Sequence, residues 1–408
     1  MVIKTIILGG MAALLALFAV SVLQSEEVPE APAMAAAPIV SEPLTKNYAQ
    51  RRIDYRRLDA RIQRLMQEEN LVGLAVGIVE NGEVSFLKGY GKRGADSDAP
   101  VTTDTVFRWA SLSKGVAGTL ASKLDARGAI GLDQSIANYS RSLQLPGGAQ
   151  VRARVRDVLS HRLGLWRNAY DDRLEGGQDP AIIRRALSGT QLTCEPGTCW
   201  SYQNVAFDAF SDVVEKATGK TYAATVKEEL FGPLGMNSAS LTRDGLVGAQ
   251  NWARPHSAGG RVLDVDNDYY RVPTAGGVNS DIGDLVTWMQ AQMGRYPDVI
   301  APSVNDEAQR ALVDTPTERR RLREFRERLS EPRYGLGWRI YDYAGHRLVG
   351  HRGGVDGYRA FILFDPAAQT GIVALWNSNH GKPHGLQFEA MDLYYGLEFR
   401  DWLRLDEG

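Results

Sequence analysis

Apolar and polar positions change rhythm along this chain, and the changes mark its elements. From Tyr48 to Asn70 the pattern is that of a charged amphipathic helix, and Val72-Gly73 leads out of it into two strand-like runs, Leu74 to Val79 and Glu83 to Gly89. Asn81-Gly82 sits between those runs, the pair of residues that a tight hairpin turn selects. Far downstream, Phe361 to Asp365 and Thr370 to Asn377 read as two more strands of one sheet, with His351 on or beside the strand before them. A helix over Gly385 to Trp402 is expected to pack on that sheet, and most segments from Gly115 to Met293 read as helices and loops. The pattern predicts an α/β (α+β) fold: an antiparallel sheet flanked by helices, plus an all-helical lobe built while the chain is away from the sheet. The junction of the two is the expected place for a site. No internal repeat interrupts this layout.

The run from Phe107 to Gly115 turns architecture into chemistry. Ser111-Leu112-Ser113-Lys114 sets a hydroxyl three residues before an amine at the start of an expected helix, where positions i and i+3 share a face. A serine hydroxyl is a weak nucleophile until a neighbour takes its proton, and a lysine whose pKa is lowered by desolvation and nearby positive charge can take it. The first N–H groups of that helix lack intrahelical partners and are expected to face the oxyanion formed when Ser111 attacks a carbonyl. A second copy of the spacing, Ser85 and Lys88, falls in an expected strand. Side chains three apart on a strand point to opposite faces, so that copy is set aside. Further along stand Tyr202-Gln203-Asn204, the only Tyr-x-Asn in the sequence, and His351-Arg352-Gly353, the only His-x-Gly.

This ordered set resembles the serine β-lactamase-related hydrolases, the group that holds class C β-lactamases, penicillin-binding proteins and esterases. The resemblance continues through Val155 to Leu165, Pro196 to Asn204, Pro233 to Met236, Ala275 to Ser280 with Asp284, and Tyr334 to Trp338. It implies a β-lactamase/transpeptidase-like fold and an acyl-enzyme mechanism. Ser111 would attack, Lys114 and Tyr202 would share the general-base task, and Asn204 would hydrogen-bond the substrate or the lysine. His351 fills the third-motif position, and the backbone N–H of Gly354 would complete an oxyanion hole with that of Ser111, with Gly353 allowing close approach. A phenol or ammonium with an ordinary pKa of about 10 is a poor base near neutrality, so proximity in a partly dry cleft must shift both. His161 resembles a family position on a loop after a helix and reads as structural rather than catalytic.

Two departures from the class C pattern bear on the substrate. His351-Arg352-Gly353 stands where that class carries Lys-Thr-Gly, and Phe107-Arg108-Trp109-Ala110 where it carries Phe-Glu-x-Gly. A histidine titrating near pH ~6.5 is a weaker anchor for the carboxylate of penicillins than a fixed charge, and Arg352 is expected to alternate to the other face. His-x-Gly is also the form of related esterases and D-amino-acid peptidases. The expected substrate is therefore an ester or small amide, on a small molecule or a peptide. The alternatives are a class C-like β-lactamase and a catalytically weak acylating sensor or binding domain.

Composition narrows the rest. A formal net charge of −2 gives no electrostatic reason to expect nucleic acid as a partner, and a hydrophobic fraction of 44% supplies the core of one catalytic domain, expected over residues 48–408. Residues 1–23 hold the uncharged apolar run Thr5 to Leu23 after Lys4. It reads as a membrane anchor or as a signal cleaved near Ala19-Val20-Ser21, and both export the catalytic domain to a periplasmic or extracellular place. Residues 24–47, rich in Ala, Pro and Glu, read as a tether. Cys194 and Cys199, the only cysteines, flank Glu195-Pro196-Gly197-Thr198, a type II turn sequence that brings its flanks together. A disulfide in an oxidising compartment is one reading and two reduced thiols the other. No His or Cys cluster has metal-ligand spacing, so neither a metal nor another cofactor is expected. The run from Glu318 to Arg333, with seven arginines and four glutamates interspersed, is expected to be a solvated helix or surface insert.

Overall fold

A computed structural model describes residues 51–406. The expected anchor over 1–23, the tether over 24–47 and the start of the helix at Tyr48 lie outside the described residues. Within them, the Asp54 carboxylate accepts from the backbone N–H of Arg56 and Arg57 and so caps a helix that runs Tyr55–Leu65, shorter at both ends than the charge pattern predicts. Strands β1 (Gly73–Glu80) and β2 (Glu83–Gly91) form the expected hairpin. Asn81 and Gly82 both take positive φ, 54° and 80°, the conformation for which this turn selects them.

The chain then leaves the sheet. β3 (Phe107–Arg108) pairs only with β4 (Asn279–Ser280), and the two bracket the helical lobe between them. After the lobe come β5 (Val313–Asp314), β6 (Leu329–Tyr334), β7 (Arg339–Tyr343), β8 (His346–Val355), β9 (Tyr358–Asp365) and β10 (Thr370–Trp376). The main sheet has the order β2-β1-β10-β9-β8-β7-β6-β5, antiparallel at every step. The last strand thus lies beside the first, in register from Leu74 with Trp376 to Val79 with Gly371.

Alternation along β10 divides the core. Val373 and Leu375 join the apolar cluster of the helical lobe, while Ile372, Ala374 and Trp376 join a second cluster with the first helix and a C-terminal helix, Leu386–Tyr395. That last helix stops at Gly396, which is left-handed, well before the expected end at Trp402. The following residues fold back instead. Arg61 of the first helix pairs with Glu389 and Asp401, and Trp402 Nε1 donates to Asp392 Oδ2 at 2.8 Å. Among the described residues no helix is long and apolar enough to cross a membrane.

The arginine-rich run is largely the solvated surface that its interspersed charges predict, with Arg319, Arg320, Arg321, Arg323, Arg326 and Arg333 exposed, but it is not one helix or insert and it hides one carboxylate. It divides into the end of a helix over Pro316–Arg321, a turn over Arg323–Phe325, and β6, a strand of the main sheet. Glu318 is only 2% exposed. Its shortest ion pair, 2.9 Å to Arg339, comes from β7, outside the run, while Arg321 within the run stands 3.8 Å away, and local charge alternation carries no trace of the distant partner.

Candidate active site

Ser111 sits in a turn over Ala110–Leu112 that runs directly into the long buried helix Ser113–Ala126. Ala110 is held at φ 50°, a left-handed backbone that residues with a Cβ rarely adopt. Neighbouring bonds enforce it: Trp109 N–H donates to Val278 O at 2.8 Å, Ser113 Oγ donates to Ala110 O at 2.7 Å, and Val278 N–H donates to Ser113 Oγ at 3.0 Å. Ser113, the second hydroxyl of the motif, is thereby a staple, while Ser111 keeps partial exposure. The helix approaches its neighbours closely. A Cβ on Gly118 would lie 1.8 Å from Leu336 O, and one on Gly353 would lie 2.3 Å from Trp109 O. Glycine at 353 lets β8 touch the nucleophile turn.

Lys114 is fully buried, with Nζ 3.4 Å from Ser111 Oγ, 2.8 Å from Asn204 Oδ1 and 2.9 Å from Ala275 O. The last two oxygens can only accept. A neutral amine keeps two N–H bonds for them and turns its lone pair to the Ser111 hydroxyl. Burial lowers the Lys114 pKa to about 7, against the attraction of Asp171 and with the help of Arg339. Asn204 is oriented from behind, where its Nδ2 donates to Asp171 Oδ2 at 2.7 Å, which leaves Oδ1 facing the lysine. Burial pushes Asp171 itself up to about 6, with the Asn204 hydrogen bond and Lys114 drawing it down.

Tyr202 and Asn204 come from a loop, not a regular element, and the loop is stitched to residues 161–169. Asn168 N–H donates to Tyr202 O at 2.8 Å, Gln203 Nε2 to Trp166 O at 2.6 Å, and Ser201 N–H to His161 O at 2.9 Å. Just before it, Cys194 and Cys199 are joined in a disulfide with their Cα atoms 6.3 Å apart, around a turn in which Gly197 has φ 87° and Thr198 N–H returns to Glu195 O. Lys114 Nζ lies 4.7 Å from the centre of the Tyr202 ring. Burial pushes Tyr202 up to about 12, while Arg339 and a hydrogen bond with Ser111 pull the other way, so the expectation that both groups shift toward bases is corrected: Lys114 does, and Tyr202 stays a phenol that can relay a proton.

His351 joins from β8, but not as a titrating charge. Gln203 N–H donates to His161 Nδ1 at 3.2 Å, so His161 Nε2 carries its proton toward Tyr334 Oη, 3.2 Å away. His351 Nδ1 faces Arg352 O at 2.8 Å and must donate, so its Nε2 accepts from Tyr334 Oη at 3.0 Å. The relay runs one way, His161 to Tyr334 to His351, and commits both rings to the neutral form. Burial, with Arg339 and Lys114 adding to it, holds the His351 pKa well below the imidazole range. The expectation of a histidine charging near pH ~6.5 is corrected here: the ring is 2% exposed and its nitrogens are spoken for. His161, its ring centre 4.3 Å from that of Tyr202 and tilted 42° to it, buttresses the tyrosine.

The geometry thus brings Ser111, Lys114, Tyr202, Asn204 and His351 together, with Gly353 against the nucleophile turn. Gly354 is exposed, and lines a cavity of about 450 Å³ with Glu175, Tyr269, Asp356 and Arg359. Reasoning from sequence missed Asp171, Tyr334, Arg339 and Glu318. Tyr334 lay inside a family-like segment, but nothing marked its hydroxyl as a bridge between two histidines. Among the described residues no group of three His, Cys, Asp or Glu side chains is arranged to hold a metal ion.

A model of the family described as Beta-lactamase matches residues 58–395. The chain belongs to the beta-lactamase family. Curated relatives of this beta-lactamase-family chain include an unguisins hydrolase of Aspergillus violaceofuscus, 25% identical over 81% of this chain and 63% of its own length. A D-aminopeptidase of Brucella anthropi is 26% identical over 87% of this chain and 65% of its own, and an esterase of Burkholderia gladioli is 30% identical over 45% and 51%. The chain therefore spans less than two thirds of the length of these relatives. Among solved structures, an octameric penicillin-binding protein homologue from Pyrococcus abyssi superposes with a TM-score of 0.75 at 24% identity, covering 85% of this chain and 78% of that one. A class C beta-lactamase in complex with cefoxitin gives 0.69 at 22% identity, covering 84% and 98%. These likenesses show a shared fold, the mixed antiparallel sheet and helical lobe of the family.

Proposed function

We propose that this protein is a serine hydrolase that works through an acyl-enzyme on an ester or a small amide. The observation that carries the reading is the setting of Lys114: a buried amine, near neutrality in pKa, whose remaining valence faces Ser111 Oγ. In the first step the Ser111 oxygen bonds to the substrate carbonyl carbon and its proton passes to Lys114, directly or through Tyr202. The backbone N–H groups of Ser111 and Gly354 are assigned to the oxyanion. Collapse of the tetrahedral species expels the alcohol or amine, which takes the proton. Water then attacks the ester on Ser111 and releases the acid. Asn204 holds the lysine in line and Asp171 holds Asn204.

The neutral His351 supports an ester or small amide over penicillins, because a ring committed to Tyr334 and Arg352 O has no charge to offer a substrate carboxylate. Relatives named as an esterase and a D-aminopeptidase fit the same class. The disulfide supports placing the domain in an oxidising, exported location, tethered or released according to the fate of residues 5–23.

Intact-mass spectrometry tests the reading on wild type and Ser111→Ala, after exposure to a fluorophosphonate, a p-nitrophenyl ester and a penicillin, with product release followed in parallel. The expected result is an adduct that vanishes in Ser111→Ala, with steady ester turnover and little penicillin turnover. Rapid penicillin turnover would move the substrate to β-lactams. A single burst without turnover would point to an acylating sensor. No adduct from any probe would remove Ser111 as the nucleophile.

A further inference from the structure

With His351 neutral, the site's buried positive charge comes from another strand. Arg339 on β7 has its guanidinium carbon 5.7 Å from the centre of the Tyr202 ring and 5.6 Å from that of Tyr334. Its side chain is 9% exposed, and Nη1 pairs with Glu318 Oε2 at 2.9 Å. Arg167 lies equally close to Tyr202, at 5.6 Å, but more than a third of its side chain meets solvent, which screens its field.

The Arg339–Glu318 pair is built unlike a pair that serves stability. A second buried pair, Arg184–Asp208 at 2.9 Å in the helical lobe, is richly bonded: Arg184 also reaches Ser142 and Asp212, and Asp208 also accepts from Ser211 and Thr274. In the active-site pair, Arg339 Nε and Glu318 Oε1 have no hydrogen-bond partner among the described residues, and Arg321, Arg352 and Arg167 approach the carboxylate only to 3.8, 3.8 and 4.0 Å. Buried groups left unsatisfied cost stability, and such costs collect where a charge serves function.

We propose that Arg339, clamped on Glu318, is a positioning residue: the buried cation that keeps Lys114 ready to take the proton of Ser111, directly or through Tyr202. The inference rests on the acyl-enzyme reading. The charges around both side chains give the pair a signature. Tyr202 feels Arg339 and Arg167, which favour its phenolate, and Glu318, which opposes it. Lys114 feels Asp171 and Asp208, which favour its charged form, and Arg339, which opposes it. Arg339 and Glu318 therefore push Tyr202 in opposite directions, and Glu318, paired to Arg339, offsets the field that Arg339 sends to Lys114, an antagonism that packing alone does not produce.

The test is the pH dependence of Ser111 labelling by a fluorophosphonate, together with a carbon-13 NMR titration of the Lys114 Cε, in wild type, Arg339→Met, Arg339→Lys and Glu318→Gln. The acid limb is expected to move up by about 1 pH unit in Arg339→Met, with labelling at pH 7 falling about 10-fold, and to move down by about half a unit in Glu318→Gln. Arg339→Lys restores the wild-type limb. An Arg339→Met limb that coincides with wild type, or a Glu318→Gln limb at or above it, overturns the proposal. If Arg339→Met fails to fold, Glu318→Gln still decides by its direction. If wild-type Ser111 is never labelled, the acyl-enzyme reading falls, while the Lys114 titration still decides whether Arg339 sets the amine.

Discussion

Two Ser-x-x-Lys sequences lie in this chain, and the fold makes different things of them. On β2, Ser85 is buried and donates to Glu83 O at 3.1 Å, while Lys88 reaches away to Asp59 at 2.8 Å with its stem partly in solvent. At the nucleophile turn, Ser111 and Lys114 face each other at 3.4 Å, and the lysine's other partners are neutral oxygens. The same spacing is a contact on a helix and a separation on a strand. The same amine is tied to a carboxylate in one place and is a candidate base among amides in the other. Chemistry here belongs to the surroundings of the motif.

The sharpest way to break the comparison is to remove each hydroxyl. Ser111→Ala is expected to lower ester hydrolysis by about 10³-fold or more, and Ser85→Ala to stay within about twofold of wild type. Equal losses would end the distinction. Exchanging the amines comes next. Lys114→Met should cost about 10²–10⁴ in rate yet raise stability, read by urea unfolding. The Lys114 pKa falls on folding, from 10.5 to about 7, so the unfolded chain holds the extra proton between those values. The resulting penalty is complete below pH ~7 and fades as pH rises toward ~10. It is of order 4–5 kcal/mol, of which stranding Asn204 Oδ1 and Ala275 O returns about half, for a net gain of about 2 kcal/mol at pH 7. Lys88→Met should cost about 0.5 kcal/mol and no activity.

A smaller effect reads the amine directly. Because Lys114 must be neutral to accept, kcat/KM for an ester should rise with pH through a midpoint near 7, and an enzyme already at its plateau at pH 5.5 would contradict this. Smallest is Asp171→Asn. Loss of its charge should move that midpoint down by about half a pH unit, and loss of the fixed Asn204 orientation should cost about 10-fold in rate. A midpoint that moves up would show that Asp171 does not act on Lys114.

Much of this was legible in the sequence, for reasons that differ by residue. Asn81-Gly82 announced its hairpin because a local conformational demand selects those residues. Ser111, Tyr202 and His351 were picked out by motif order, and the Cys194 to Cys199 spacing by the turn between them. Asp171, Tyr334, Arg339 and Glu318 act through partners supplied by other segments, and no local pattern encodes such a partner. Glu318 misled most, because a buried carboxylate in a run of arginines looks like surface until Arg339 is seen beneath it. The protonation of His351 was beyond sequence for the same reason: Tyr334 and Arg352 O decide it, through a relay that begins at His161. Element ends moved where caps intervened, at Asp54 for the first helix and Gly396 for the last.

The pairing of β1 with β10 also sets the order in which this protein comes into being. The first hairpin is ready early, yet its inner edge has no partner until residues Thr370–Trp376 exist, and its outer face waits for the helix Leu386–Tyr395. Contacts between segments about 300 residues apart form slowly. The sheet cannot close until Trp376 has been made, and a chain released before then carries a bare apolar edge, a form open to aggregation and to capture by chaperones.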